Sequence, residues 1–355
     1  MRPGPRIKSI SRQLAKTESK KAVTVQKHLG TIAGARKSQL PAFVRPQLAT
    51  LVDSVPQGDE WLHEIKFDGY RALCRIDEGR AVFLTREGQD WTSRFGSLVE
   101  AARNLPVRRA LLDGEVVALE KDGTTNFQLL QNSLKRNDTA ILVYFVFDLL
   151  YLDGWDLTRS PLRERKSILQ QILKPKRKEK ASNALRCSEH WIGQGAKLFE
   201  ESCRQGLEGI VSKKADQPYR SGRGRDWLKV KCSKNQEFVI GGFTEPAGSR
   251  SGLGALLVGV YDASGNLLYA GKVGTGFTQL SLKELRSRLN SLERDSPPFI
   301  NAPRGAEAKG VHWVEPKLVG AVAFTEWTAD SLLRHPSFQG LRDDKPAAQV
   351  TRERT

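Results

Sequence analysis

The chain is poor in the residues that build metal and disulfide frameworks. It has four cysteines (Cys74, Cys187, Cys203 and Cys232) and five histidines in 355 residues. The cysteines lie far apart with no CxxC pair, and the histidines lack zinc-ligand spacing, which argues against a structural zinc site. Scattered thiols in a chain this long fit a reducing compartment. No apolar run reaches the roughly 18 residues that a membrane-spanning helix needs. The N-terminus lacks the apolar core of a secretory signal. It is rich in Arg, Lys and Ser and nearly free of acids, which also describes an organelle transit peptide. Internal repeats are absent, as is the βαβ alternation of a dinucleotide-binding sheet.

Positive charge is what the chain has in excess. Lys and Arg total 57 against 40 acids, a formal net charge of +17 with pI near 9.8. That balance points to a polyanionic partner, nucleic acid first, because neutralising phosphates drives such binding. Residues 1–37 hold ten Lys or Arg against the single acid Glu18. Few apolar residues recur there at helical spacing, so the segment reads as a flexible basic arm, either holding phosphate backbone or simply solvated.

With 39% hydrophobic residues the rest can bury a core, and the length suggests two domains at roughly 150 residues each. Order is expected to begin near "LPAFVRPQLAT". Residues 61–67, 70–76 and 81–85 read as strands, 92–103 as helix, 109–119 as strand, 126–134 as helix and 140–152 as a long buried strand. Helices follow at 161–173 and 194–205 around the basic loop "KPKRKEK", then strands at 208–214 and 227–233. Beyond about Glu237, short strands with Gly-rich turns and one helix near 279–292 fit a small OB-fold barrel. The expected fold is α+β: a domain of mostly antiparallel sheets and helices over 38–235, a barrel over 236–346 and a tail over 347–355.

"HEIKFDGYRAL" sets Lys66 inside an apolar run, one step before the turn Asp68-Gly69. A lone lysine there would normally be a strand-edge residue that snorkels to water. What changes the reading is an ordered series at strand ends: "KFDGYR", "LTREG", "LLDGEVV", "FVFDLLYLDG", "LEGIVSKK", "DWLKVK" and "LRHPSFQGLRDDK".

This series resembles the covalent nucleotidyltransferases, most closely the ATP-dependent DNA ligases. Within them, "HEIKFDGYR", "PYRSGRGRDWLKVK" and "RHPSFQGLRDDKP" are similar to the ligase module of bacterial end-joining ligases of the ligase D type. The resemblance spans roughly residues 40 to 346. It implies a nucleotidyltransferase (ATP-grasp-like) domain followed by an OB-fold, acting on nicked or broken double-stranded DNA with ATP and Mg²⁺ or Mn²⁺. It further implies a monomer in the bacterial cytoplasm at the nucleoid, with a Ku-type end-binding protein as a candidate recruiter and no membrane association.

By the same resemblance Lys66 attacks the α-phosphate of ATP and becomes a lysyl-AMP. A protonated amine cannot attack, so its pKa is expected to fall through desolvation by Ile65 and Phe67 and through the charge of Lys229, Lys231 and metal. Asp68, Glu115 and Glu208 are the expected metal ligands, with Glu115 and Glu208 also suited to ribose and Asp68 to orienting the 3′-hydroxyl. Lys229 and Lys231 alternate along one strand and so share a face, aimed at the α-phosphate. Phe147 matches the aromatic that stacks on adenine, and Glu64 the acceptor of its amino group. Arg71 fits ribose or 5′-phosphate contact, Arg86 the 5′-phosphate of the nick, and Lys213 the nucleotide phosphate. Arg342 and Lys345 match the cations that orient the β,γ-phosphates, with Asp344 in an ion-pairing role. The arginines of "YRSGRGRDW" read as a DNA-backbone loop or a solvated turn. The competing readings are an RNA ligase or mRNA-capping-type guanylyltransferase on the same fold, and a non-catalytic nucleic-acid-binding scaffold.

Overall fold

The computed structural model describes residues 29–120, 123–174, 184–232, 234–246 and 252–353. The chain divides into two compact units, the first ending at Cys232. In chain order the first unit opens with β1 (Arg36–Lys37), β2 (Gln47–Leu51), β3 (Trp61–Ile65), β4 (Tyr70–Asp77), β5 (Arg80–Thr85), α1 (Gly96–Arg103) and β6 (Arg109–Ala118). It continues through α2 (Phe127–Lys135), β7 (Leu142–Leu152), β8 (Trp155–Asp156), α3 (Leu162–Ile172), β9 (Leu185–Cys187) and β10 (His190–Ile192). It closes with α4 (Gly195–Arg204), β11 (Gly209–Lys214) and β12 (Gly222–Lys231).

Two sheets result. The larger runs β1-β8-β7-β6-β4-β5 with β9 beside β7, and the smaller runs β10-β3-β11-β12-β2. Alternation along the strands decides what each face does. Tyr70, Ala72, Cys74 and Ile76 of β4 point to one face, where they pack with Leu98 of α1, Leu130 of α2 and Leu169 of α3 in the main core. Leu73 and Leu111 point the other way and meet Trp227 of β12 in the smaller sheet and Tyr219 from the segment that leads into that strand. That sheet's far face (Ile65, Ile210, Val230) is sealed by Leu198 of α4. The two sheets therefore face each other, each backed by helix.

One structural pair lies behind this arrangement. Arg165 and Asp148 are both fully buried, joined by two bonds of 2.7 and 2.8 Å. Removing one partner strands the other charge in a dry interior, so Arg165→Met is expected to destabilise the first unit by about 3–5 kcal/mol. Urea denaturation followed by tryptophan fluorescence checks this; an unchanged midpoint would mean that Asp148 finds another partner.

Several expectations need correction. Residues 29–37 are not part of a flexible arm: Leu29 is buried in the main core, and Arg36–Lys37 pairs with Trp155–Asp156. Residues 1–28, expected as the rest of the arm, and 175–183, which hold most of the expected basic loop, lie outside the described residues. The helix expected over 92–103 is split into a 3₁₀ turn, Thr92–Arg94, and α1. Thr92 is anchored to β5, its Oγ1 accepting from Phe83 N at 2.9 Å, so the chain must turn before the helix can start. The "SGRGRDW" segment is strand rather than loop, running parallel to β2, with Arg223 Nη1 donating to Ala49 O and Arg220 paired to Asp226 at 2.7 Å. The thiols are not all scattered either, because Cys203 and Cys232 form a disulfide while Cys74 and Cys187 stay free. Folding α4 against the end of β12 brings together two cysteines 29 residues apart, a proximity that sequence spacing does not reveal.

The second unit consists of β13 (Lys234–Thr244), β14 (Leu256–Tyr261), β15 (Leu267–Val273), α5 (Gln279–Asn290), β16 (Glu293–Arg294), β17 (Val311–Val314), β18 (Val319–Phe324), β19 (Glu326–Trp327), β20 (Leu333–Arg334) and β21 (Ser337–Leu341). The strand path β15-β14-β13-β18-β21 returns on itself through a bridge between Thr275 and Ser337, which closes a barrel around Phe238, Ile240, Val258, Val322 and Phe338. This is the OB-fold. Closure removes the exposed sheet edges that an open array of short strands would carry.

Candidate active site

The smaller sheet carries the site on its inward face. Glu64, Val211 and Lys229 are register partners across β3, β11 and β12, as are Leu62, Lys213 and Trp227 one pleat along. Paired residues point to the same side, so Glu64, Lys213, Trp227, Lys229 and Lys231 share the face turned toward the larger sheet. β3 ends at Ile65, two residues earlier than expected, yet Lys66 N still donates to Gly209 O at 2.9 Å. Lys66 thus continues the alternation onto the same face while its backbone leaves the sheet. Two glycines permit the exit. A Cβ on Gly69 would collide with the carbonyl oxygen of Val116, and Gly209, at φ +142°, lies against that of Val230.

Lys66 and Glu208 form an ion pair, partly buried on both sides. Burial pulls the lysine's pKa down, but Glu208, then Asp68 and Glu115, outweigh it, and the net shift is upward. This corrects the expected fall: without phosphate or metal present, the amine is held protonated by the three carboxylates that share its surroundings. The same balance shows what would activate it. Once another cation takes up the carboxylate charge, burial alone remains, and burial favours the neutral amine.

No group of three or more His, Cys, Asp or Glu among the described residues is arranged as a complete metal cage. Magnesium seldom uses one. It commonly takes one or two carboxylates and completes its shell with water and substrate phosphates. Carboxylates that converge on one amine, on the sheet face that also bears Lys229 and Lys231, fit that requirement.

The other end of the face is assembled differently from expectation. Glu64 is buried, its Oε1 accepting from Lys166 Nζ at 2.8 Å and its Oε2 from Ser188 Oγ at 2.9 Å. Lys213, expected at the nucleotide phosphate, instead sits 3.1 Å from Glu64 Oε1, with Nζ 4.2 Å from the ring centres of both Phe147 and Trp227. The reason is register: Lys213 pairs with Leu62, at the opposite end of β11 from Gly209 and Glu208. Phe147 is half-buried and meets Trp227 edge-on, with centroids 5.9 Å apart. Arg71 is already committed. Its guanidinium binds Asp113 through two bonds of 3.0 and 2.6 Å and reaches Gln47 O at 2.6 Å, with Tyr219 Oη closing on Asp113 at 2.7 Å. A ribose or phosphate contact by Arg71 would have to share or replace these bonds.

Glu115 faces this cluster from β6, opposite Arg71 and Phe145 in register. Arg86 lies in the turn after β5, 3.6 Å from Glu87. Arg342, Lys345 and Asp344 belong to the second unit. There Arg342 grips Asp344 through two bonds of 2.9 Å, and Lys345 pairs with Glu237 at 3.0 Å.

Residues 46–231 match the family model of the ATP dependent DNA ligase domain, and residues 249–345 that of the ATP dependent DNA ligase C terminal region. The chain belongs to the ATP-dependent DNA ligase family. Among curated members, the multifunctional non-homologous end joining protein LigD of Pseudomonas aeruginosa is 42% identical over 320 residues, covering 90% of this chain and 38% of the relative. A DNA ligase of Thermococcus onnurineus is 32% identical over 331 residues, covering 86% of this chain and 57% of the relative. This ligase chain therefore spans about two fifths of the length of the LigD relatives it matches, 38% in the Pseudomonas case. Among solved structures, a mycobacterial DNA ligase D complexed with ATP and MES aligns with a TM-score of 0.64 at 35% identity, covering 87% of this chain and 98% of the other.

Sequence reading missed Lys166, Ser188, Asp113 and Tyr219. For Lys166 a signal was available. Leu162, Arg165, Lys166 and Leu169 fall at i, i+3, i+4 and i+7, so two cations interrupt what is otherwise the buried stripe of a helix. A charge on an apolar stripe demands a buried partner. Ser188 and Tyr219 carry no comparable mark, because only the sheet register brings them to Glu64 and Asp113.

Proposed function

We propose that this chain is a ligase module that seals nicks or broken ends in double-stranded DNA, using ATP through a lysyl-AMP and an adenylated 5′-phosphate. The observation that carries the reading is Lys66 at the exit of β3, ringed by Glu208, Asp68 and Glu115 on the sheet face that also bears Lys229 and Lys231. The neutral Lys66 amine donates its lone pair to the α-phosphorus. The bond to pyrophosphate breaks as the new N–P bond forms, and the lysine's spare proton leaves to solvent. Lys229 and Lys231 face the phosphate oxygens and offset their charge, and Glu64 and Phe147 hold the base.

Glu208, Asp68 and Glu115 are the residues that would hold magnesium or manganese, which supplies charge neutralisation on phosphate oxygens. In later steps the AMP passes from Lys66 to a DNA 5′-phosphate, and a 3′-hydroxyl displaces it, with Asp68 orienting that hydroxyl and Arg86 holding the 5′-phosphate. The names of the LigD relatives suggest end-joining repair; action in the bacterial cytoplasm at the nucleoid, with a Ku-type protein as recruiter, belongs to the same proposal through the family resemblance.

Mixing the protein with metal and labelled ATP or labelled GTP tests the reading. Acid-resistant covalent label from ATP, absent or far weaker from GTP, is expected. Label from GTP would favour the capping-type guanylyltransferase, and label from neither would favour a scaffold without catalysis.

A further inference from the structure

Behind the base end of the cleft lies more buried charge than a single base-reading carboxylate requires. Lys166 is 0% exposed and Glu64 2%. Lys166 reaches from α3 and is shared among three segments: Glu64 Oε1 at 2.8 Å on β3, Phe147 O at 3.5 Å on β7, and Ser188 O at 3.1 Å between β9 and β10. Placing an ammonium in this apolar stripe carries a desolvation cost. Packing alone would be served as well by methionine. The lysine must therefore do something that an apolar side chain cannot.

Two ammonium groups approach the same carboxylate oxygen, and they are not equivalent. Burial and Glu64 act in opposite directions on Lys166, and Glu64 prevails, so this cation stays charged. Lys213 is pulled down by burial, held up by Glu64 and pushed down again by Lys166, ending at about 8. Lys213 Nζ stands 3.1 Å from Oε1 but outside hydrogen-bond geometry, and it is buried against two rings without another partner. His190, the register partner of Glu64, is driven to about 4 chiefly by burial and so stays neutral. Lys166 is thus the fixed counter-ion and Lys213 the displaceable one. Lys166 and Ser188 together occupy only part of the acceptor capacity of the carboxylate, which has about four lone-pair sites.

We propose that Lys166 is the positioning residue of nucleotide-base recognition, locking the Glu64 carboxylate, the Phe147 backbone and Ser188 into one arrangement that leaves Glu64 an acceptor site for the 6-amino group of adenine. The proposal rests on the reading that Glu64 receives that amino group. Lys166 itself touches no substrate; it acts through Glu64.

The test uses the full chain and single-turnover adenylation with ATP and with purine riboside triphosphate, which lacks the 6-amino group. Lys166→Met is expected to raise the half-saturating ATP concentration by on the order of tenfold to a hundredfold, the weight of one hydrogen bond to a charged group. The rate at saturation should change little, and the preference for ATP over the analogue should disappear. Binding of a plain nick in the absence of ATP, which involves no cofactor adenine, should keep the wild-type affinity and so report an intact fold. Lys166→Arg, keeping the charge, should restore the preference at least in part. If Lys166→Met does not fold, Lys166→Gln replaces it, since a neutral donor fills the site without the charge, and the same loss of preference is expected.

A preference for ATP that survives these neutral substitutions overturns the proposal. So does an equal loss of plain-nick binding, which would mean general structural damage. Glu64→Met run in parallel separates the two layers. If Glu64→Met keeps the preference, the reading of Glu64 fails; if it loses the preference while Lys166→Met keeps it, only the role of Lys166 fails.

Discussion

Lys66→Ala is expected to abolish covalent labelling by ATP while leaving the sealing of a pre-adenylated nick largely intact. Lys66 is the amine placed at the exit of β3 beside Glu208. Lys229 and Lys231 sit on β12, separated from that exit by the width of β11. Loss of a covalent nucleophile typically lowers a rate by on the order of a millionfold, which here means no detectable adduct. The final step asks something else. There the 3′-hydroxyl attacks an already activated 5′-phosphate, and the lysine contributes only nearby charge. Gel assays on plain and pre-adenylated nicks separate the two steps. If Lys66→Ala seals plain nicks with ATP, the nucleophile has been misassigned.

Glu208→Ala should damage both steps, by about a hundredfold to a thousandfold each, the usual weight of one preorganised electrostatic group at a reacting centre. The variant removes the ion-pair partner that most strongly holds Lys66 protonated, so the amine should lose its proton more readily than in the wild type. If protonation of Lys66 alone limited the rate, the variant would therefore adenylate faster. A slower reaction on both substrates would show that the carboxylate matters more for holding the phosphate-neutralising cation. Faster adenylation with unchanged sealing would remove Glu208 from the metal assignment and leave it as the lysine's counter-ion alone.

How much of this could be read from sequence differs by element. The strands β3 to β7 and β11 and the helices α2, α3 and α4 were legible to within a few residues, because hydrophobic period and turn residues are local properties. The short strands β1, β2, β8, β9 and β10 were not, since each is defined by the strand it pairs with. The split at Thr92 was not, since it depends on a hydrogen bond to Phe83 in a neighbouring strand. "SGRGRDW" looked like a loop because glycines and arginines have weak strand preference. It is strand because β2 supplies a parallel partner along one edge.

The site divides along the same line. By itself the sequence determined which residues are the candidates for the chemistry: the lysine before a tight turn, the acids in "DGE" and "LEG", the alternating pair in "LKVK", and their order along the chain. These are properties of single segments, and a strand's two-residue period already fixes that Lys229 and Lys231 share a face. Tertiary structure decided which of those groups neutralise one another. Lys66 is held protonated by carboxylates from three segments, Lys213 stands beside Glu64, Phe147 and Trp227, and Arg71 is committed to Asp113. It also decided that Lys166 reaches Glu64, 102 residues away, and that Cys203 meets Cys232. Burial and Coulomb interaction depend on distance through space, and strand register and sheet facing set those distances.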